Sequence, residues 1–320
     1  MSSTSLPNWR LYRWLKRAGM LLATLFVLLG LIVWGWHWRA PPVYTPKSPV
    51  VIAGKNLDSA GHDARYAQLD AAGYVLHIAP KPASAARGEL IFFGALHSKD
   101  PQHPQVATLR GVWHEFKPTV ALVEGRMSFF VGTATQGIGV FGEGAAVYAL
   151  AEADGVPLYT LEPPLDVEIA ALEECGDRTQ VAMFRVLSGY MSARRGGPVS
   201  DFKIRRLLAK RAGPITDAFP DIAAFDEYFA SQFPDRPTWR DLPEEAMWPG
   251  RDDTLLHRMA TRSNVERNRH FVHVMLDLVN QGERVLAIAG RSHTVIMEPV
   301  LWESLQPAEH GDLSSARPWE

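Results

Sequence analysis

The sequence predicts an α/β fold with a central, mainly parallel sheet flanked by helices. Short apolar runs recur at residues 90–93, 119–123, 156–161 and 285–289, separated by helical patterns. Runs of that kind are the mark of strands buried on both faces. Each run leads into a polar residue of catalytic type: His97 after Gly94-Ala95-Leu96, Glu124, Glu162, and His293 after Gly290-Arg291-Ser292. Open parallel sheets bind ligands beyond the carboxyl ends of their strands. Two histidines and two glutamates are therefore expected to meet on one rim.

The first element is apolar and uncharged from Ala18 to Trp36, about long enough for a helix to cross the ~30 Å hydrocarbon core. Trp34, Trp36 and Trp38 stand at its far end, as interfacial aromatics do. Arg10, Arg13, Lys16 and Arg17 precede it, and Arg39 alone follows closely. The positive-inside rule then assigns residues 1–17 to the cytoplasm, 18–38 to a single-pass anchor in a bacterial inner membrane, and the rest to the periplasm. The lipid bilayer is thus the first expected partner. A cleaved signal peptide would need a small-x-small site, which the tryptophan-rich exit lacks. Residues 39–50 carry Pro41, Pro42, Pro46 and Pro49, which read as a stiff, extended spacer. The main domain is expected over 51–320, with Tyr74 to Ile78 as a hairpin or sheet-edge strand.

From Gly88 the order is strand, helix, strand, helix, strand, a βαβ series. Val106, Leu109, Trp113 and Phe116 make one apolar helical stripe, and 143–154 reads as the second helix. Residues 165–250 show helical stretches broken by Gly-Pro segments and no strand pattern. They read as a helical insertion beside the site, where long insertions shape access. A helix over about 255–280 follows, with Asn268, Phe271, Val272, Met275 and Val279 on one face. Asn268 is the polar member of that stripe, so its amide needs buried partners. Arg267 sits at the edge of the same face.

His97 and His293 each close a Gly-x-x-His after a strand, and the glycine is expected to permit a sharp turn. Two histidines and a carboxylate are a common set for a catalytic divalent metal with an open water position, so His97, Glu124 and His293 are candidate ligands. The same groups without metal serve as general acid and base. A bland alternative has each histidine capping its strand, and either glutamate pairing with Arg126 or Arg267. Glu143 and Glu168 are further candidates for the site, with a structural role the expected one for each. His103 and His114 read as solvated helix positions, and His270 and His273 flank the inner face of their helix. Gly137 to Gly142 spells G-x-G-x-x-G, but no strand runs into its first glycine, so a glycine-rich flap at the rim is expected instead of a dinucleotide site.

Composition narrows the classes further. A formal net charge of −2 over 320 residues gives no basic excess, and no nucleic-acid partner is expected. The single cysteine, Cys175, cannot form an internal disulfide, and Glu173-Glu174 before it disfavour a thiolate. No Gly-x-Ser-x-Gly elbow or Walker A sequence is present.

Gly94 and His97, strand-end Glu124, Arg267-Asn268 on a late helix, then Gly290 and His293 resemble the TraB/GumN/Tiki superfamily. Erythromycin-esterase-like and ChaN-like haem-uptake proteins are related branches. The resemblance spans roughly 88–301 by order of motifs, and the insertion lies outside it. It implies two related halves with the site between them. Tiki-type members imply a metal-dependent peptidase, with a divalent ion of the zinc, manganese or cobalt class on His97, Glu124 and His293. Arg267 and Asn268 would then polarise the scissile carbonyl and Glu162 would shuttle a proton. Esterase-type members imply a metal-independent histidine base, and ChaN-like members a haem-binding protein with His and Tyr ligands. Arg291-Ser292 departs from the small or apolar residues relatives often carry there, and Arg291 is a candidate for an anionic substrate group. The expected function is a membrane-anchored periplasmic hydrolase of peptides or small molecules.

Overall fold

Strands rich in valine, isoleucine, leucine and phenylalanine need apolar cover on both faces, and here both are covered. The computed structural model describes residues 8–35, 37–47, 74–79, 88–128, 130–236, 238–250 and 254–305. In chain order the elements are α1 (Asn8–Gly35), β1 (His37–Trp38), β2 (Tyr74–Ile78), β3 (Glu89–Ala95), α2 (Pro104–Phe116), β4 (Val120–Val123), β5 (Phe130–Val131), α3 (Ala134–Phe141) and α4 (Gly144–Asp154). There follow β6 (Leu158–Thr160), α5 (Leu165–Glu173), α6 (Arg178–Arg194), α7 (Asp201–Leu207), α8 (Ile222–Gln232), α9 (Leu255–Asn280), β7 (Arg284–Gly290) and α10 (Arg291–Leu305).

The main sheet runs β2-β3-β7-β4-β6. β3, β7, β4 and β6 are parallel, and β2 closes one edge antiparallel to β3. Ala95 pairs with Gly290, and Val123 with Ile288. That register brings both Gly-x-x-His strands side by side and sets Glu124 on the neighbouring strand end. Alternate residues feed two cores. Leu90, Phe92, Leu122, Val285 and Ala287 pack under α9 and α10 with Phe271, Val272, Met275 and Val279. Ile91, Phe93, Ala121, Val123, Leu286 and Ile288 pack under α2 and α4 with Val106, Leu109, Trp113 and Phe116. The expected α/β architecture is present, and both helical stripes read from the sequence are buried. The insertion builds a separate aromatic core, in which Phe225 and Tyr190 meet the Trp239 ring edge-on at 5.2 and 4.6 Å.

Several expectations are corrected. Among the described residues no helix is long and apolar enough to cross a membrane, so the spanning segment over 18–38 is not found. Residues 12–30 of α1 include the charged Arg13, Lys16 and Arg17. Trp38 is no interfacial aromatic: it is buried, stacks on Tyr148 at 4.7 Å and meets Phe130 at 5.2 Å.

Nor do residues 39–47 form a free spacer. Thr160 donates its amide to the Pro42 carbonyl at 3.0 Å, and Val43 bridges Thr160 in parallel, extending the sheet past β6. Tyr44 is buried and donates its hydroxyl to Asp277 Oδ2 at 2.7 Å, with the Lys47 amide on the same oxygen at 3.0 Å. Burial, reinforced by the bond to Asp277, pushes the Tyr44 phenol up to about 12. Residues 48–73, within which the spacer meets the start of the main domain, lie outside the described residues.

The expected glycine-rich flap is the helix α3. Thr133 caps it, sharing a reciprocal capping box with Gln136, and Gly142 ends it at φ +73°. Gly137 is glycine for packing: a Cβ there would lie 2.2 Å from the Trp38 ring.

Candidate active site

His97 is one of two non-glycine residues with positive φ among the described residues, at 55°. Left-handed backbone costs a residue with a Cβ on the order of 1 kcal/mol, so the surroundings must hold it. Gln105 Oε1 accepts the Leu96 amide at 2.9 Å and fixes the turn. Glu143 then accepts both the backbone amide and the ring Nδ1 of His97 on one oxygen, each at 3.1 Å. Glu143 is buried at the N-cap of α4. Its carboxylate fixes the tautomer with the proton on Nδ1 and leaves Nε2 as the base. The Glu143 bond raises the His97 pKa above its ordinary value, and the charges of Glu124 and Glu143 help outweigh burial and Arg195, which lower it.

Glu124 faces the same ring, its Oε2 3.8 Å from His97 Nε2. That oxygen accepts the Gly290 amide at 2.5 Å, while Oε1 accepts Arg267 Nη2 at 2.6 Å. Burial alone would raise the Glu124 carboxyl. The His293 ring and the Arg267 charge outweigh it and hold the group well below the usual carboxylate range.

Behind Glu124 lies a second layer. Arg267 donates Nε to Glu162 Oε2 at 2.9 Å and Nη2 to Glu162 Oε1 at 2.7 Å, and the Gly125 amide donates to that Oε1 at 3.0 Å. Burial, which would lower the guanidinium pKa, is outweighed by Glu162 and Glu124. His293 is buried in the first turn of α10, with Nδ1 on Asn268 Oδ1 at 2.5 Å. Its Nε2 stands 3.4 Å from both Arg267 Nη1 and Glu124 Oε1.

The cavity at this rim measures about 590 Å³. Its walls include His97, Lys99, Glu124, Val140, Phe141 and Glu143, with Ser192 and Arg195 from the end of α6. All six residues singled out from the sequence, His97, Glu124, Glu162, Arg267, Asn268 and His293, are joined in one network. Only His97 and Glu124 reach the cavity wall. Arg267, Asn268 and Glu162 are committed to one another and to His293, so the expected roles of carbonyl polariser and proton shuttle are corrected to positioning roles.

The expected metal set is corrected too. Among the described residues no group of three His, Cys, Asp or Glu side chains could hold a metal. The reason is that the Arg267 guanidinium fills the position between Glu124, Glu162 and His293 and neutralises the carboxylates an ion would need. The donor set does not fit a divalent metal.

Glu143, a further candidate with an expected structural role, is the residue that backs His97. Its one available signal was an acidic side chain opening a helix directly after Gly142. Ser192 and Arg195 come from the insertion, expected beside the site, but its sequence gives no sign of which side chains face the cavity. Glu168 is structural as expected, paired with Arg185 at 2.8 Å and Arg126 at 3.5 Å. Arg291 is buried and absent from the cavity wall. His270 lies away from that wall, with burial pushing its pKa down to about 4. Burial raises the Cys175 thiol, which makes it a poor nucleophile.

Set against protein-family models, curated proteins and solved structures, the chain matches none of them.

Proposed function

We propose that the chain is a hydrolase acting through a histidine base without a metal, as the esterase-type branch of the TraB/GumN/Tiki superfamily does. The observation that carries this reading is the His97–Glu143 pair, with Nε2 turned to a cavity beside ionised Glu124. In the reaction, Nε2 takes a proton from water and the water oxygen bonds to the carbonyl carbon of an ester or amide. The bond to the leaving oxygen or nitrogen then breaks, and Nε2 returns the proton to that leaving atom. Glu143 orients the ring and stabilises its charged form, as the carboxylate of a catalytic triad does. Glu124 adds a second negative charge 3.8 Å from Nε2, and Arg267, Glu162, Asn268 and His293 hold Glu124 in place. Under this reading β3 and β7 belong to two related halves.

The metal-dependent peptidase reading gives way because Arg267 occupies the ion's position. The haem-binding reading finds one histidine and no tyrosine among the cavity's lining residues. We also propose a lipid bilayer as the partner of α1. Met20, Leu21 and Phe26 are 62, 73 and 70% exposed on that helix, and no part of the described fold covers them. Failure of the chain to sediment with phospholipid vesicles would overturn this partner.

The test of the activity uses the full chain in detergent against a panel of 4-nitrophenyl esters and peptides. Wild type is expected to hydrolyse one or more of them, and His97→Ala to lose at least ~100-fold in kcat. Equal rates in the two proteins, with matching circular dichroism spectra, would remove the histidine-base reading.

A further inference from the structure

We infer that the substrate carries a carboxylate or phosphate group near the bond to be broken, and that Lys99 and Arg195, which share the cavity wall with His97, bind that group. This rests on the hydrolase reading and names its substrate class. The argument is an inventory of charge on the cavity wall. Both acids there already have partners: Glu124 has Arg267 and the Gly290 amide, and Glu143 has the amide and ring of His97 on Oε1, its buried Oε2 taking no hydrogen bond among the described residues. The two cations are less firmly held. Lys99 is exposed and has no ion-pair partner among the described residues. Arg195 reaches only Glu244, at 3.3 Å, and both side chains of that pair are more than two-fifths exposed. Such a surface pair contributes little, so the guanidinium is available to a ligand at small cost.

The two cations come from separate elements and line the same cavity. Lys99 stands two residues after His97 on the β3–α2 connection, and Arg195 closes α6 of the insertion. Arg195 is near enough to act on the charge of the His97 ring. The rest of the wall fits an acyl or aryl body: Val140, Phe141, Ile288 and Ala289. An arginine fork and a lysine point charge are the pair that carboxylates and phosphates attract. The insertion thereby gains a function: it supplies one half of an anion clamp that the α/β core lacks.

The experiment compares the 4-nitrophenyl esters of pentanoate, glutarate with one free carboxylate, and 4-phosphonobutanoate, using the full chain. The anionic esters are expected to show a kcat/KM about tenfold or more above the neutral one, carried by KM and declining with added salt. Whichever anion gains more identifies the group. In Lys99→Ala/Arg195→Ala the anionic-to-neutral ratio is expected to fall to about one. A ratio near one in wild type, with hydrolysis still dependent on His97, overturns the clamp and leaves the hydrolase reading standing. If no ester is cleaved, calorimetric titration with glutarate and inorganic phosphate decides the clamp alone. Binding that the double variant abolishes supports it, and no binding by wild type overturns it.

Discussion

His97 holds a left-handed backbone and an exposed ring, two things that ordinarily go with a mobile side chain. Glu143 prevents that by taking both its amide and its Nδ1. Because a general base works only when deprotonated, a raised pKa moves the rising limb of the pH–rate profile above the ordinary histidine value of 6.5. Glu143→Gln removes the largest cause of that rise. The limb is expected to shift to lower pH while kcat falls by roughly 10²-fold, measured as kcat/KM against pH. The two motif glycines teach a different lesson. The sequence reading assigned them to sharp turns, yet neither has a positive φ. They are glycines for space: a Cβ on Gly290 would stand 2.5 Å from His97 Nε2, and one on Gly94 would stand 2.9 Å from Thr294 Oγ1. Each motif makes room for the other, so the pattern was legible but its reason was not. Gly290→Ala is expected to displace the half-exposed His97 ring and cut kcat strongly. Its urea midpoint should shift little, since the ring can swing into the cavity.

At the scale of elements, the site depends on α9 reaching across to two strand ends. Among the described residues, Arg267 is the side chain that pairs with both Glu124 and Glu162. Arg267→Ala leaves two largely buried carboxylates without their cation, a loss expected to cost about 3 kcal/mol in urea unfolding. The pH dependence follows from Glu124. Its folded pKa lies below the unfolded one, so its contribution is complete above the ordinary carboxylate range and is lost as pH falls through the depressed value. Wild type should therefore lose stability progressively as the solution is acidified below about pH 4.5, the ordinary value, and Glu124→Gln should flatten that slope. Helix α3 shows a motif whose letters mislead. Its glycines spell a phosphate loop, but Gly137 exists to admit the Trp38 ring. Gly137→Ala is expected to destabilise by about 1–3 kcal/mol through overpacking, read from the denaturant midpoint, with the hydrolytic constants little changed.

For the whole molecule, the distinguishing expectation concerns chelation. Incubation with excess EDTA followed by gel filtration is expected to leave hydrolysis by wild type unchanged. Loss of activity restored by added zinc, manganese or cobalt would overturn the metal-independent reading. The large architecture was legible because burial writes itself into the chain. Strands covered on both faces must be continuously apolar, and amphipathic helices must repeat with their turn. Thus β2, β3, β4, β7, the stripes of α2 and α9, and the helical nature of the insertion all follow from local pattern. The convergence of His97, Glu124 and His293 followed from one topological rule about strand ends.

What the sequence determined by itself is therefore the class of the sheet and the rim on which polar side chains gather. Pattern along the chain encodes which residues must leave water. Tertiary structure alone decided who partners whom at that rim: Arg267 where a metal was expected, Glu143 behind His97, Asn268 behind His293. It alone also decided that residues 39–47 lie along the sheet and that Arg195 reaches the cavity. Those outcomes depend on distances between residues from 25 to 233 positions apart, and on charges that compete for one space. No periodicity records either, because a carboxylate's partner is fixed by geometry that exists only once the chain has folded.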